Sequence, residues 1–307
     1  MNRKTFNPGS ILRHATTVIV SLLATGQMAT AVVGYVNLTA TNGYTLAVNP
    51  LDTGSYNILN VIPSAPDGTR VWLWNPTNQL FDPPSTFISA NANWTLNLSL
   101  PPGRGFVVHS PSTFFITFVG EVLQGSLTNF LAGTNKLTLV GSKVPVGGNL
   151  TQHLLFPGSD GDVVSVYPPV NQRYLDGYTY LSGYGWLDPQ GVVGTNGPSI
   201  NVANSFFIRH RGPDTNWVRN FTVQAFAPGL NLTGSGGSGG APPPDILGLT
   251  IQNGMATLRV SATDRPYNVQ FSPDGSAWTT VAANQIGGSW TGPCPTTDAG
   301  YFQLVSP

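Results

Sequence analysis

The chain has 307 residues, length for about two domains. Only 8% are Asp, Glu, Lys or Arg, and 13 basic residues balance 13 acidic ones, against about 25% charge in an ordinary soluble domain. That balance argues against a nucleic-acid binder, which needs a basic footprint, and against a polybasic membrane-surface protein. Hydrophobic residues make up 40% and aromatics 10%, enough to build cores. Gly (36) and Pro (26) together supply about one residue in five, which favours turns and short strands. Helix formers are scarce, with Glu121 the single Glu and Lys4, Lys136 and Lys143 the only lysines.

The N-terminus reads as a secretory signal over 1–31. Arg3, Lys4 and Arg13 give a positive start, and 15–26 is an uncharged apolar run. Ala29 and Ala31 stand where a signal peptidase reads small residues. The run is too short for a membrane span, which takes about 20 apolar residues. Cleavage after Ala31 would leave 276 residues with ten basic against 13 acidic side chains, a net charge of −3. No later stretch reads as a span, and the C-terminus carries no sorting tail, so the expected location is secreted or cell-surface, in the periplasm or outside. Cys294 is the single cysteine. It fits an exported protein without disulfides, as a quiet thiol.

After the signal, a repeat with a spacing of 93 appears. Thr45-Leu46 recurs as Thr138-Leu139, Asp67-Gly68 as Asp160-Gly161, Val71 as Val164, Trp74 as Tyr167 and Pro76 as Pro169. Further on the spacing drifts, and Phe106 to His109 loosely matches Phe207 to His210. This places one β-module at 32–122 and a second at 123–226. Strand alternation runs through Arg70 to Trp74, Trp94 to Leu98, Phe114 to Val119 and Ser205 to Arg209, each bounded by turn residues. Tyr56 to Ile62 and Leu150 to Phe156 hold matching places, each long enough for one helical turn. Residues 227–244 read as a flexible Gly/Ser/Pro linker, and 245–307 as a small β domain. Its strands are expected at Met255 to Val260, Tyr267 to Phe271, Trp278 to Val281 and Tyr301 to Val305, with a turn at Ser272 to Gly275. The fold class is all-β: two tandem sandwich or barrel-like modules plus a small C-terminal β-sandwich.

Three stretches carry a resemblance: Gly43 to Leu51 (GYTLAVNPL), Val71 to Trp74, and Pro102 to Val108 (PGRGFVV). They resemble a module, often in tandem, of uncharacterised secreted proteins of environmental bacteria. Tyr267 to Trp278 resembles the fibronectin-III-like tail module of such proteins, although Tyr301-Phe302-Gln303 replaces the usual aromatic-aromatic-Arg ending. The resemblance implies architecture and no chemistry, so it transfers no catalytic residue.

Chemical motifs are sparse. Gly234 to Gly240 matches two glycine-rich fingerprints formally, but a Pro run follows where a helix is required. A glycosidase would need a carboxylate pair, whereas Asp67, Asp160 and Asp274 precede Gly, and Asp82 and Asp188 precede Pro, as turn residues do. Asp160 and Asp162 would begin a Ca²⁺ loop that lacks its further acids. His109, His153 and His210 stand in no recognisable triad or zinc spacing. Ser272 to Trp278 falls one residue short of the Asp-box, itself a folding device. The Asn-x-Ser/Thr sequons at Asn37, Asn93, Asn97, Asn149, Asn220 and Asn231 read as strand and turn chemistry.

Aromatics remain as the feature with binding potential. Tyr174, Tyr178, Tyr180, Tyr184 and Trp186 crowd a Gly-rich stretch, with core packing as the competing reading. Trp72 and Trp74 share one strand face. The expectation is therefore an exported, non-enzymatic structural or adhesive protein of the bacterial cell exterior, with no cofactor. Carbohydrate binding through the Tyr174–Trp186 stretch is the alternative, and an accessory region of a secreted hydrolase is a weaker one. Expected partners are cell-surface polysaccharide or other surface proteins. Few lysines guard the strand edges, so self-association is also expected.

Overall fold

Antiparallel sheets dominate the computed structural model, which describes residues 32–223, 243–252, 254–261, 263–294 and 299–307. The expected signal cleavage site and most of the expected linker lie outside the described residues. The first sandwich contains β1 (Val33–Ala40), β2 (Gly43–Val48), the single turn α1 (Ile58–Val61), β3 (Arg70–Asn75), β4 (Leu80–Phe81), β5 (Ser85–Ile88), β6 (Asn93–Trp94), β7 (Gly105–Ser110) and β8 (Phe114–Glu121). The second contains β9 (Gly125–Leu131), β10 (Lys136–Gly141), β11 (Gly148–Asn149), β12 (Val163–Ser165), β13 (Tyr178–Leu181), β14 (Gly185–Leu187), β15 (Ser199–Ile200), β16 (Ser205–His210) and β17 (Thr215–Phe221). The tail contains β18 (Ile246–Gln252), β19 (Met255–Val260), β20 (Tyr267–Ser272), β21 (Thr279–Gln285), β22 (Ser289–Pro293) and β23 (Ala299–Val305). The described residues include no helix long and apolar enough to cross a membrane.

In the first sandwich the sheet β2-β7-β3-β5-β6 faces the β1/β8 pair across a core that includes Val36, Leu38, Ala47, Phe106 and Phe118. In the second, β10-β16-β12-β13-β14 faces the β9/β17 pair across Val140, Phe206, Ile208, Trp186 and Trp217. Each core follows from period-two alternation, which sends every second side chain inward.

Local bonds recur between the sandwiches. Asp67 accepts the Ser89 amide at 2.8 Å, and Asp160 accepts the Ser182 amide at 2.8 Å. Asn57 caps α1 through the Asn60 amide, and Asn149 caps the corresponding turn through the Gln152 amide. β7 and β16 fix the drifted part of the spacing. Ala47 opposes Phe106, and Val140, 93 residues after Ala47, opposes Phe206. Phe106 therefore corresponds to Phe206 and not to Phe207, one residue away from the sequence alignment. The shift matters because one residue moves a side chain to the opposite face of a sheet.

The strand expected at Trp94 to Leu98 stops at Trp94. Beyond it the Thr95 amide still donates to the Thr86 carbonyl, but hydroxyls take the neighbouring bonds: the Thr86 amide donates to Thr95 Oγ1, and Ser85 Oγ accepts the Leu96 amide. In the tail, the Ser272 to Gly275 turn forms as expected. Asp274 Oδ1 accepts the Ser276 and Ala277 amides, which hold its carboxyl down at about 2.

The tail does not close on itself. β23 pairs with β20 on one side and with β1 on the other, giving the sheet β21-β20-β23-β1-β8. Four residues of β1 take part, with Val33 opposite Phe302 and Val36 opposite Ala299. Alternation divides β1 between two cores. Val33 and Tyr35 join the tail core with Leu258, Val269 and Trp290, while Val36 and Leu38 face the first sandwich. Gly300 allows this seam to close, because a Cβ there would run into the Phe271 and Tyr35 rings. Tyr301 on β23 reaches further, entering the first core while its hydroxyl donates to the Pro145 carbonyl of the second sandwich at 2.9 Å.

Candidate functional site

The outward faces of the two main sheets meet. Leu46 and Val107 from the first pack against Leu139 and Phe207 from the second, with Trp72, Trp74, Leu137 and Tyr167 partly buried around them. The polar contacts across this junction are reciprocal. Val48 N donates to the Ala203 carbonyl at 2.8 Å, and Gly141 N donates to the Gly103 carbonyl at 3.1 Å. Gln79 holds Leu137 by both backbone groups: its Oε1 accepts the amide at 2.7 Å and its Nε2 donates to the carbonyl at 3.0 Å. Gln172 holds Tyr44 in the same way, at 2.7 and 2.9 Å. The two glutamines are 93 residues apart, as are Tyr44 and Leu137.

Each glutamine side chain thus completes the edge of the opposing sheet as a peptide group would. Both residues sit at positive φ, 57° and 47°, a conformation that costs roughly 1–2 kcal/mol. The paired bonds across the junction, at about 1 kcal/mol each, offset that strain.

Around this junction runs a strip of rings. Phe81 meets Trp74 at 5.0 Å, Trp74 meets Phe207 at 5.2 Å, Phe207 meets Tyr174 at 6.0 Å and Tyr174 meets Tyr167 at 5.0 Å. Tyr44 lies beside it against Trp72 and His109. Phe207 is buried, but Tyr44, Phe81 and Tyr174 keep 43%, 44% and 48% of their surface exposed. Burial first, and the neighbouring Tyr167 second, push the Tyr174 hydroxyl up to about 12, so it stays a neutral hydrogen-bonding group near neutral pH. Fixed, half-exposed rings beside backbone and amide groups can stack on an apolar ligand face and hydrogen-bond its edge.

The five aromatics singled out in the sequence separate in space. Tyr174 joins the strip. Tyr178 and Tyr180 are half-buried and pack inward on the second core. Tyr184 is exposed at the β13–β14 hairpin. Trp186 is fully buried, edge-on to Tyr180 at 5.2 Å, with its Nε1 donating to Thr151 Oγ1. Its ring faces are therefore closed to a ligand, because alternation along β14 directs it into the core. The sequence reading missed Tyr44, Phe81, Gln79 and Gln172. The glutamine pair had a signal, since each follows by three residues a proline that the repeat already matched, Pro76 and Pro169.

The candidate chemical groups also resolve. His109 lies against Tyr44 at 4.6 Å, and His153 Nδ1 accepts the Asn149 amide. His210 and Asp162 form a buried pair, Nδ1 to Oδ1 at 2.8 Å. Asp162 also accepts the Arg211 and Ser159 amides. Asp160 turns instead to the Ser182 amide, so the two acids of the considered Ca²⁺ loop have different partners. Among the described residues, no three or more His, Cys, Asp or Glu side chains stand together as a metal site would need. Compared with models of known protein families and with curated proteins, the chain matches none.

Proposed function

We propose that the chain is an exported, non-enzymatic adhesive protein of the cell exterior, built from two repeated β-modules, which contacts polysaccharide through the aromatic strip at their junction. One observation carries the reading: Tyr44, Phe81 and Tyr174 stand half-exposed on a face held by reciprocal bonds from both modules. A ligand meeting that face finds rings already in place, so little ordering entropy opposes binding. The secretory signal read in the sequence gives such a face access to surface glycans.

Beads coated with residues 32–307 provide the test. They are expected to hold at least one polysaccharide from a panel of plant, algal and bacterial polymers, whereas uncoated beads hold none. Failure to retain any polymer of the panel would remove the reading.

A further inference from the structure

The outer face of the second sandwich continues past the strip into a groove of about 310 Å³, lined by Asn135, Gly161, Val163, Thr179, Arg209 and Arg211. Phe207 and Arg209 alternate on the same face of β16, about 7 Å apart along the strand. The groove therefore begins where the Tyr174–Phe207 contact ends. We infer that this groove binds an oxyanion, a carboxylate or sulfate group carried by an acidic polysaccharide whose sugar rings lie on the strip. The inference rests on the strip being the binding face and adds the class of ligand.

Charge bookkeeping across the chain supports it. Charged side chains are few, yet two of the arginines flank one groove. Among the described residues, neither guanidinium has a carboxylate within ion-pair distance. Asp162, which accepts the Arg211 amide, is turned inward to His210. A guanidinium fork matches a carboxylate or sulfate with two parallel bonds, and the Asn135 amide and Thr179 hydroxyl add neutral donors.

The groove is also built. Asp162 accepts the Arg211 amide at 3.0 Å and so fixes where that side chain departs. Arg211 then lies over Gly161, whose φ is +77° and where a Cβ would meet the Arg211 Cδ at 2.5 Å. The corresponding place in the first sandwich differs. Arg70 and His109 are opposed there, His109 is against Tyr44, and Pro111 stands in the place of Arg211. That place holds one arginine where the groove holds two.

The test is affinity electrophoresis of residues 32–307 through gels containing dextran, alginate or dextran sulfate. Wild type is expected to be retarded by a polyanion more than by dextran. The double variant R209Q/R211Q should lose at least tenfold in affinity for that polyanion, while R70Q changes it less than twofold. Retardation by alginate alone identifies a carboxylate, by dextran sulfate alone a sulfate, and by both a general oxyanion site. Equal retardation by dextran and the polyanions, unchanged in R209Q/R211Q, would overturn this inference and leave the strip reading standing. Loss of polyanion binding to the same extent in R70Q would overturn it as a nonspecific charge effect. Absence of retardation in every gel would overturn this inference, while the strip reading stands or falls with the bead panel.

Discussion

Asp162→Ala is expected to lower the stability of the second sandwich by about 3–5 kcal/mol, because three donors lose one shared buried acceptor and each orphaned buried group costs about 1–3 kcal/mol. Asp162 is fully buried and accepts from His210 Nδ1, the Arg211 amide and the Ser159 amide. Alanine removes the shared acceptor of all three donors, and His210, only 2% exposed, is shielded from water that could replace it. At about 2–4 °C per kcal/mol for a chain of this size, the melting temperature should fall by on the order of 10 °C. The first sandwich supplies a control built into the molecule. Thr69 and Ser110 hold the corresponding positions, hydroxyl to hydroxyl at 3.4 Å. Asp162→Thr combined with His210→Ser should therefore recover at least half the loss seen in Asp162→Ala. Thermal melts of the three proteins decide it. A melting temperature unchanged in Asp162→Ala would show that the pair is not structural.

Removal of residues 227–307 should destabilise the first sandwich by about 4–6 kcal/mol. Truncation exposes Val33 and Tyr35, each stabilised by roughly 1.5–3 kcal/mol through burial, and strips the β1 edge of its partner over four residues. It also removes Tyr301, which fills part of the first core and bonds to Pro145 of the second sandwich. An autonomous tail joined by a flexible linker would leave that melting temperature unchanged. Amide exchange adds a local reading: the Val33 and Tyr35 amides, which alternation turns to β23, should lose protection in the truncated chain, while Gly34 and Val36, facing β8, and strands β10 and β16 keep theirs.

The strands themselves were legible in the sequence, because alternation and turn residues are local. Met255–Val260 and Ser205–His210 form almost as expected, and the Asp67/Asp160 and Val71/Val164 matches correspond to equivalent bonds and pairings. Two things were not legible. The first was which edge β23 would choose, because alternation in β1 shows two apolar faces without saying what covers each. The second was which aromatics stay exposed. Trp186 and Tyr184 lie two residues apart in one Gly-rich stretch, yet one is fully buried and the other 70% exposed. A Gly-rich setting does not separate core from surface, whereas strand pairing does. Tyr44 was hidden because the bonds that hold its backbone come from Gln172, 128 residues away.

We propose the junction strip as the binding face. Its most direct measurement is the affinity of residues 32–307 for the retained polysaccharide, compared with the double variant Tyr44→Ala/Tyr174→Ala. Both rings are half-exposed, so the variant should melt within a few degrees of wild type while its affinity falls at least tenfold. Undiminished affinity in a folded double variant would contradict the account.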